Sequence, residues 1–433
     1  MRIPFLVLSA LATTLVAAPV AAQDSPAERA ALARDAWRRA AASQRAGLSD
    51  SMWADVNRAH AAWPAQVAYA ETVARQAARR GDDAALERVL RRLASQGVGL
   101  GAASDTTVAR VAARSTGGAA ALAALRASTE SSEQSRPRVL LPDTTFFAEG
   151  LDVDPASGTL YVTSIHLRTV MAVKRDGSSR SAIVAPADAI AGAFGVAFDG
   201  TRGALWVTAA GTPHMRGHQP ADSTRAELLR VNLADGSIAG RWRLGDGTGA
   251  PGELALTPAG DVLVSDGLRG RLYRLRGGAG ALEPVTSPLL RSPQGIAPSA
   301  DGAVAWVADW SHGLLRWDLR TNEVTAVTTP DDAMLLGIDG LRRAGDRLIG
   351  VQNGATPARV IAITLDATGR AVHQVHTIDR PSFEGEPTVG AVAGDRYLYV
   401  SSSAWPFWND EGARRAGTAP LPPVTVRELR LPR

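Results

Sequence analysis

Apolar residues follow two periods along the chain. From about Ser25 to Ala127 they recur every three or four positions among many alanines, the spacing of one buried helix face. Helices are predicted near Pro26–Arg45, Ser51–Ala62, Ala65–Arg79, Asp83–Ser95, Asp105–Arg114 and Ala119–Ala127. Ser25-Pro26 reads as an N-cap followed by proline in the first turn, with Glu28 favouring the helix dipole. Further on, a phrase recurs six times: a turn carrying glycine, then a short strand ending near a small or acidic residue. The copies are DPASGTLYVTS, FDGTRGALWVTA, LTPAGDVLVSD, PSADGAVAWVAD, LRRAGDRLIGVQN and AVAGDRYLYVSSS. Their turn glycines, Gly158, Gly203, Gly260, Gly302, Gly345 and Gly394, are 45, 57, 42, 43 and 49 residues apart.

A repeat of roughly 40–50 residues built from short strands predicts a β-propeller. The fold expected is an all-β six-bladed propeller preceded by a small all-α region. After the last phrase only one strand remains, Val424–Leu431, so six four-stranded blades are one strand short. Arg138–Leu141 can supply it and close the ring, which removes the free edges. Ser128–Ser135 lacks large apolar residues and reads as a linker. The domains expected are a helical region over 23–127, a linker over 128–135 and the propeller over 136–433. Within the helical region, AYAETVARQAARRGDDAALERVLRRLASQGVG reads as a hairpin turning at Gly81-Asp82. It resembles a tetratricopeptide-type unit, which implies a peptide-docking groove; a cap packed on the propeller is the other reading.

Composition narrows the setting. Residues 1–22 combine Arg2, an apolar run and small residues at Val20 and Ala22, the pattern of a signal peptide. The mature protein is expected to be periplasmic or secreted, without membrane insertion. The chain has no cysteine, which excludes disulfides, thiol catalysis and thiolate metal sites. Lys174 is its one lysine, and a net charge of +4 without a basic stripe gives no support for nucleic-acid binding. There is no G-x-S-x-G elbow, no glycine-rich phosphate loop and no dinucleotide fingerprint.

In a propeller the starts of the inner strands line the channel mouth. Those starts are Glu149-Gly150, Phe194-Gly195, Gly252-Glu253, Gln294-Gly295, Asp339-Gly340 and Glu384-Gly385-Glu386. A second ring, from the ends of the following strands, holds Ser164, Ala209, Asp266, Asp309, Gln352-Asn353 and Ser402. Carboxylates converging on one axis repel unless a cation or a hydrogen-bond network compensates. Oxygen ligands without cysteine favour Ca²⁺. The alternative is that these side chains cap turns and bind water. His214 and His218 are four apart, but Gly217 and Pro220 place them on a loop, where the spacing carries no metal signal. Trp206, Trp306 and Trp317 are expected in blade packing, Trp405 and Trp408 at the pocket rim.

The stretches FAEGLDVDPASGTLYVTS, SPQGIAPSADGAVAWVAD and GIDGLRRAGDRLIGVQNG resemble the regucalcin/gluconolactonase family of six-bladed propellers, over about Asp143–Arg433. The resemblance implies one divalent cation in the channel, Ca²⁺ ahead of Mn²⁺ or Zn²⁺, and hydrolysis of a lactone or ester. By the same resemblance Glu149, Gln294 and Asp339 are the metal ligands and Asp339 is the catalytic base. Two positions depart from the family: Gln294 stands where it has Asn, and Gly252-Glu253 where it has Asn-Asp. His166, Glu253, Asp309 and Asn353 are candidates for gripping substrate hydroxyls. The rival expectation is a non-enzymatic propeller that binds a protein, peptide or glycan, with the helical region as a docking site for a protein partner.

Overall fold

The six turn glycines each connect the first and second strands of a blade, and each has positive φ, from 58° to 82°. A side chain with a Cβ adopts that conformation only at a cost, so glycine marks the turn in sequence. The computed structural model describes residues 26–431, except 142, 187, 188, 331, 384 and 419. The expected signal peptide, 1–22, and Glu384 lie outside the described residues. Six four-stranded antiparallel sheets form the ring, five of them hydrogen-bonded in chain order. Blade 6 is completed as expected: Arg136–Leu141 pairs with Val424–Arg430 as its outermost strand. Glu428 secures the seam, receiving Arg136 and Arg396 at 2.9 Å each. Those two guanidinium groups hold its carboxyl below the usual range, against a burial cost that raises it.

The helical region comprises α1 (Pro26–Arg45), α2 (Ser49–Ala62), α3 (Val67–Arg80), α4 (Asp83–Gln96), α5 (Leu100–Ala103), α6 (Thr106–Ala112) and α7 (Thr116–Thr129). Asp82 caps α4 by accepting from Ala85 N, and Gly81 and Gly97 end α3 and α4 in left-handed conformation. Short α5 departs from the sequence expectation, and α7 runs two residues into the predicted linker. The rest of that linker is held down. Ser132 bridges to Arg380, and Ser135 Oγ meets Tyr399 Oη at 3.0 Å and receives Arg427 Nε at 2.7 Å. No helix among the described residues is long and apolar enough to cross a membrane.

The helical region is docked on the propeller. Met334, Leu336 and Ala355 from blade 5 loops belong to its apolar core. Thr356 O accepts from Gly99 N and Leu100 N, while Arg359 donates to the carbonyls of Gln96 and Gly97. Burial, aided by Arg380, pulls the Arg359 guanidinium down to about 9, a cost offset by these carbonyl partners. The contact loops also carry Asp339 and Asn353, so the helices flank the channel mouth that these residues line.

Candidate functional site

A bulge opens the inner strand of blades 1 to 4. Pairing with the second strand shifts between Ala148 and Leu151, Ala193 and Val196, Pro251 and Leu254, and Pro293 and Ile296. The two residues in each gap are the strand starts read from sequence. Second-strand hydroxyls hold three of these bulges: Thr163 Oγ1 accepts from Gly150 N at 2.6 Å, Thr208 Oγ1 from Gly195 N at 2.7 Å, and Ser265 Oγ from Glu253 N at 3.1 Å. The glycines are required by closeness to the next blade. A Cβ on Gly150 would lie 2.2 Å from Phe194 O, and one on Gly195 2.5 Å from Gly252 O.

The residues before these glycines meet in a cavity of about 350 Å³ at the channel mouth. Its lining includes Glu149, Phe194, Gln294, Asp339, Asn353, Glu386, Trp310 and Trp405. The three expected metal ligands thus share one cavity with Asn353. Trp405 Nε1 donates to Glu149 Oε2 at 2.7 Å. Asn353 Nδ2 lies between two carboxylates, donating to Asp339 Oδ2 at 2.8 Å and Glu386 Oε1 at 3.0 Å. Gln294 reaches the cavity from the opposite side, with Nε2 directed to Ser292 Oγ at 3.2 Å.

In sequence, Glu386 stands out only as part of the Glu384-Gly385-Glu386 run at the blade 6 start. The position in blade 6 equivalent to Asp339 is Thr388: Asp339 N bonds Val351 O as Thr388 N bonds Val400 O. Thr388 Oγ1 donates to Glu149 O, and Glu386 is held two residues earlier by a bridge to Ser403.

Three residues expected to grip substrate are placed elsewhere. In blade 3 the order is Gly-Glu, so Glu253 occupies the position glycine takes in the neighbouring blades. Its carboxylate turns down the channel to pair with Arg342 from blade 5. Asp309 is a turn cap, accepting the backbone N–H groups of Arg291, Ser292, Ser311 and His312. Half-buried His166 donates from Nδ1 to the His214 carbonyl at 2.8 Å, its ring 5.5 Å from Trp408. It stands behind the cavity wall rather than in it. His214 also stays out of metal chemistry, bridging Thr212 and the Asn409 carbonyl. The fully buried Trp206 and Trp317 pack in blade cores.

No family model matches this chain, and no curated protein matches it. Solved structures similar in fold include a catalytically inactive virginiamycin B lyase from Staphylococcus aureus with quinupristin. It shares 15% identity over 70% of this chain and 100% of that chain, with a TM-score of 0.48. A gluconolactonase from Xanthomonas campestris shares 18% identity over 68% of this chain and 89% of its own, TM-score 0.45. A calcium-binding regucalcin from Agrobacterium tumefaciens shares 18% over 70% and 97%, TM-score 0.48. The likeness is one of fold.

Along the channel Glu149, Asp339 and Glu386 crowd one another at the mouth, while Asp152 and Glu253 face the Arg342 guanidinium. Burial raises the carboxyls of Glu149 and Asp339 well above the usual range. Mutual repulsion, and that of Glu386 and Glu253, adds to the rise, and the bonds from Trp405 and Asn353 oppose it. Burial alone moves Glu386 up to about 7.

Among the described residues no three His, Asp or Glu side chains form the close array that clasps a metal ion. The donor chemistry nevertheless suits a hard divalent cation. Carboxylates outnumber cationic groups, and buried Asn353 Oδ1 has no partner among the described residues.

The raised carboxyls set the pH dependence of the metal-free fold. A carboxyl with a raised folded-state pKa leaves the folded state holding more protons than the unfolded state above about pH 4.5. Stability is therefore full below that pH and falls as pH rises through the folded value. For Glu386 the loss is expected between about pH 4.5 and 7 and is on the order of 3 kcal/mol. His60, lowered to about 4 by burial and then by Arg92, acts with opposite sign in part of that window. Comparing urea-unfolding curves of wild type and Glu386→Gln at several pH values cancels that contribution. Parallel stability profiles for the two proteins would show that Glu386 titrates normally.

Proposed function

We propose that the protein is a divalent-cation-dependent hydrolase of a lactone or ester, working in the cavity at the channel mouth. The observation that carries this reading is the gathering of Glu149, Asp339 and Glu386 there with, among the described residues, only Asn353 and Trp405 as side-chain hydrogen-bond partners. Such crowding costs stability, and a bound cation is the compensation that makes it useful. Glu149, Gln294 and Asp339 would hold the cation, with Asn353 Oδ1 as a further neutral donor. When bound, a divalent cation polarises an ester carbonyl and stabilises negative charge developing on its oxygen.

The remaining chemistry belongs to the side chains. Asn353 fixes the Asp339 carboxylate through Oδ2, leaving Oδ1 to accept the proton of the attacking water. Trp405 holds one oxygen of Glu149 and fixes its orientation. Water adds to the acyl carbon, the acyl–oxygen bond breaks, and the proton passes to the departing alkoxide, giving an acid and an alcohol. Trp310 and Trp405 wall the cavity.

Calorimetric titration of metal-stripped mature protein with Ca²⁺, Mn²⁺ and Zn²⁺, followed by an ester and lactone panel, tests the reading. One-site binding together with cation-dependent release of acid supports it. An absence of binding for all three ions removes the cation from the mechanism and favours a non-enzymatic interaction module.

A further inference from the structure

The cavity has two unlike halves. Carboxylates reach it from blades 5, 6 and 1. Blades 2, 3 and 4 supply Phe194, Leu268 and Trp310, the backbone at Gly252 and Gly267, and a single amide, Gln294. That amide already directs its nitrogen to Ser292. The two glycines keep this half open: a Cβ on Gly252 would stand 3.2 Å from Gln294 Oε1, and one on Gly267 2.7 Å from Gln294 Nε2. Leu268 is 67% exposed at the edge, an apolar side chain that gains when a ligand covers it.

We infer, resting on the hydrolase reading above, that the substrate is a lactone or ester with an alkyl or aryl body. Its carbonyl lies at the carboxylates and its body against blades 2 to 4. A polyhydroxylated ring in the same place would bury hydroxyls against Phe194 and Trp310 with one side-chain amide to meet them. Unpaired buried hydroxyls are costly, whereas an alkyl chain gains with each methylene covered.

Two comparisons test this on the Ca²⁺-loaded protein. In the first, two δ-lactones sharing one ring are hydrolysed, one with a pentyl tail and one with hydroxyls. In the second, two cyclic ethers with the same substituents but no carbonyl are titrated calorimetrically, which reports binding without chemistry. The expected result is a kcat/KM at least about tenfold higher for the pentyl lactone, with binding of the pentyl ether alone. Leu268→Asp is expected to raise KM for the pentyl lactone about tenfold, and an unchanged KM counts against the inference.

Preference for the hydroxylated lactone overturns the inference and leaves the hydrolase reading standing. Turnover of neither lactone, with the pentyl ether still bound, defeats the hydrolase reading and supports the apolar half as a binding surface. Binding of neither ether overturns the inference.

Discussion

Replacing Asp339 with asparagine is expected to lower turnover of a susceptible ester by at least about 100-fold and to weaken cation binding severely. The same change is expected to stabilise the metal-free protein. Asparagine keeps an oxygen for Asn353 Nδ2 but carries no charge to repel Glu149 and Glu386. Thermal unfolding in chelator should then give a higher Tm for the variant than for wild type at pH 8. Loss of turnover with a lowered Tm would point to ordinary structural damage. Turnover and cation binding both at the wild-type level would falsify the role assigned to this carboxylate.

The largest stability effect is expected deeper in the channel. Arg342 faces Glu253 and Asp152, and its pairing with Glu253 is nearly closed to solvent, at 14% and 3% side-chain exposure. Burial raises the Glu253 carboxyl, and Arg342 opposes the rise. Arg342→Met leaves Glu253 buried without a counter-charge and is expected to cost about 3–5 kcal/mol. Adding Glu253→Gln to that variant should restore part of the loss, because it removes one stranded charge while Asp152 keeps the other. Urea unfolding of both single variants and the double variant measures the coupling. A single variant within about 0.5 kcal/mol of wild type would mean that Glu253 simply takes up a proton.

The blade number was readable because its signal is local: each first turn needs a left-handed residue, and glycine meets that need six times. Ring closure was readable from a strand deficit, and the helices from their period. Site chemistry was less legible because residue type does not give direction. Glu149 and Glu253 both sit in an inner-strand bulge, yet the order of acid and glycine sends one to the mouth and the other down the channel. With hindsight, that reversal is visible in Gly252-Glu253. Asp309 resembles a second-ring ligand in sequence, but four backbone N–H groups claim its carboxylate. Glu386 was obscured because blade 6 begins later than its Glu-Gly-Glu run suggests, at Thr388.

The seam between Arg136–Leu141 and Val424–Arg430 has a consequence for the order in which the molecule matures. In blade 6 the strand Val424–Arg430 is the neighbour of both Arg136–Leu141 and Arg396–Val400. Until synthesis reaches it, both of those strands present bare backbone edges. A nascent chain halted before residue 424 would therefore expose two sticky templates for mispairing with other chains. The final join links segments nearly the whole propeller apart in sequence, so ring closure should be a slow, late step.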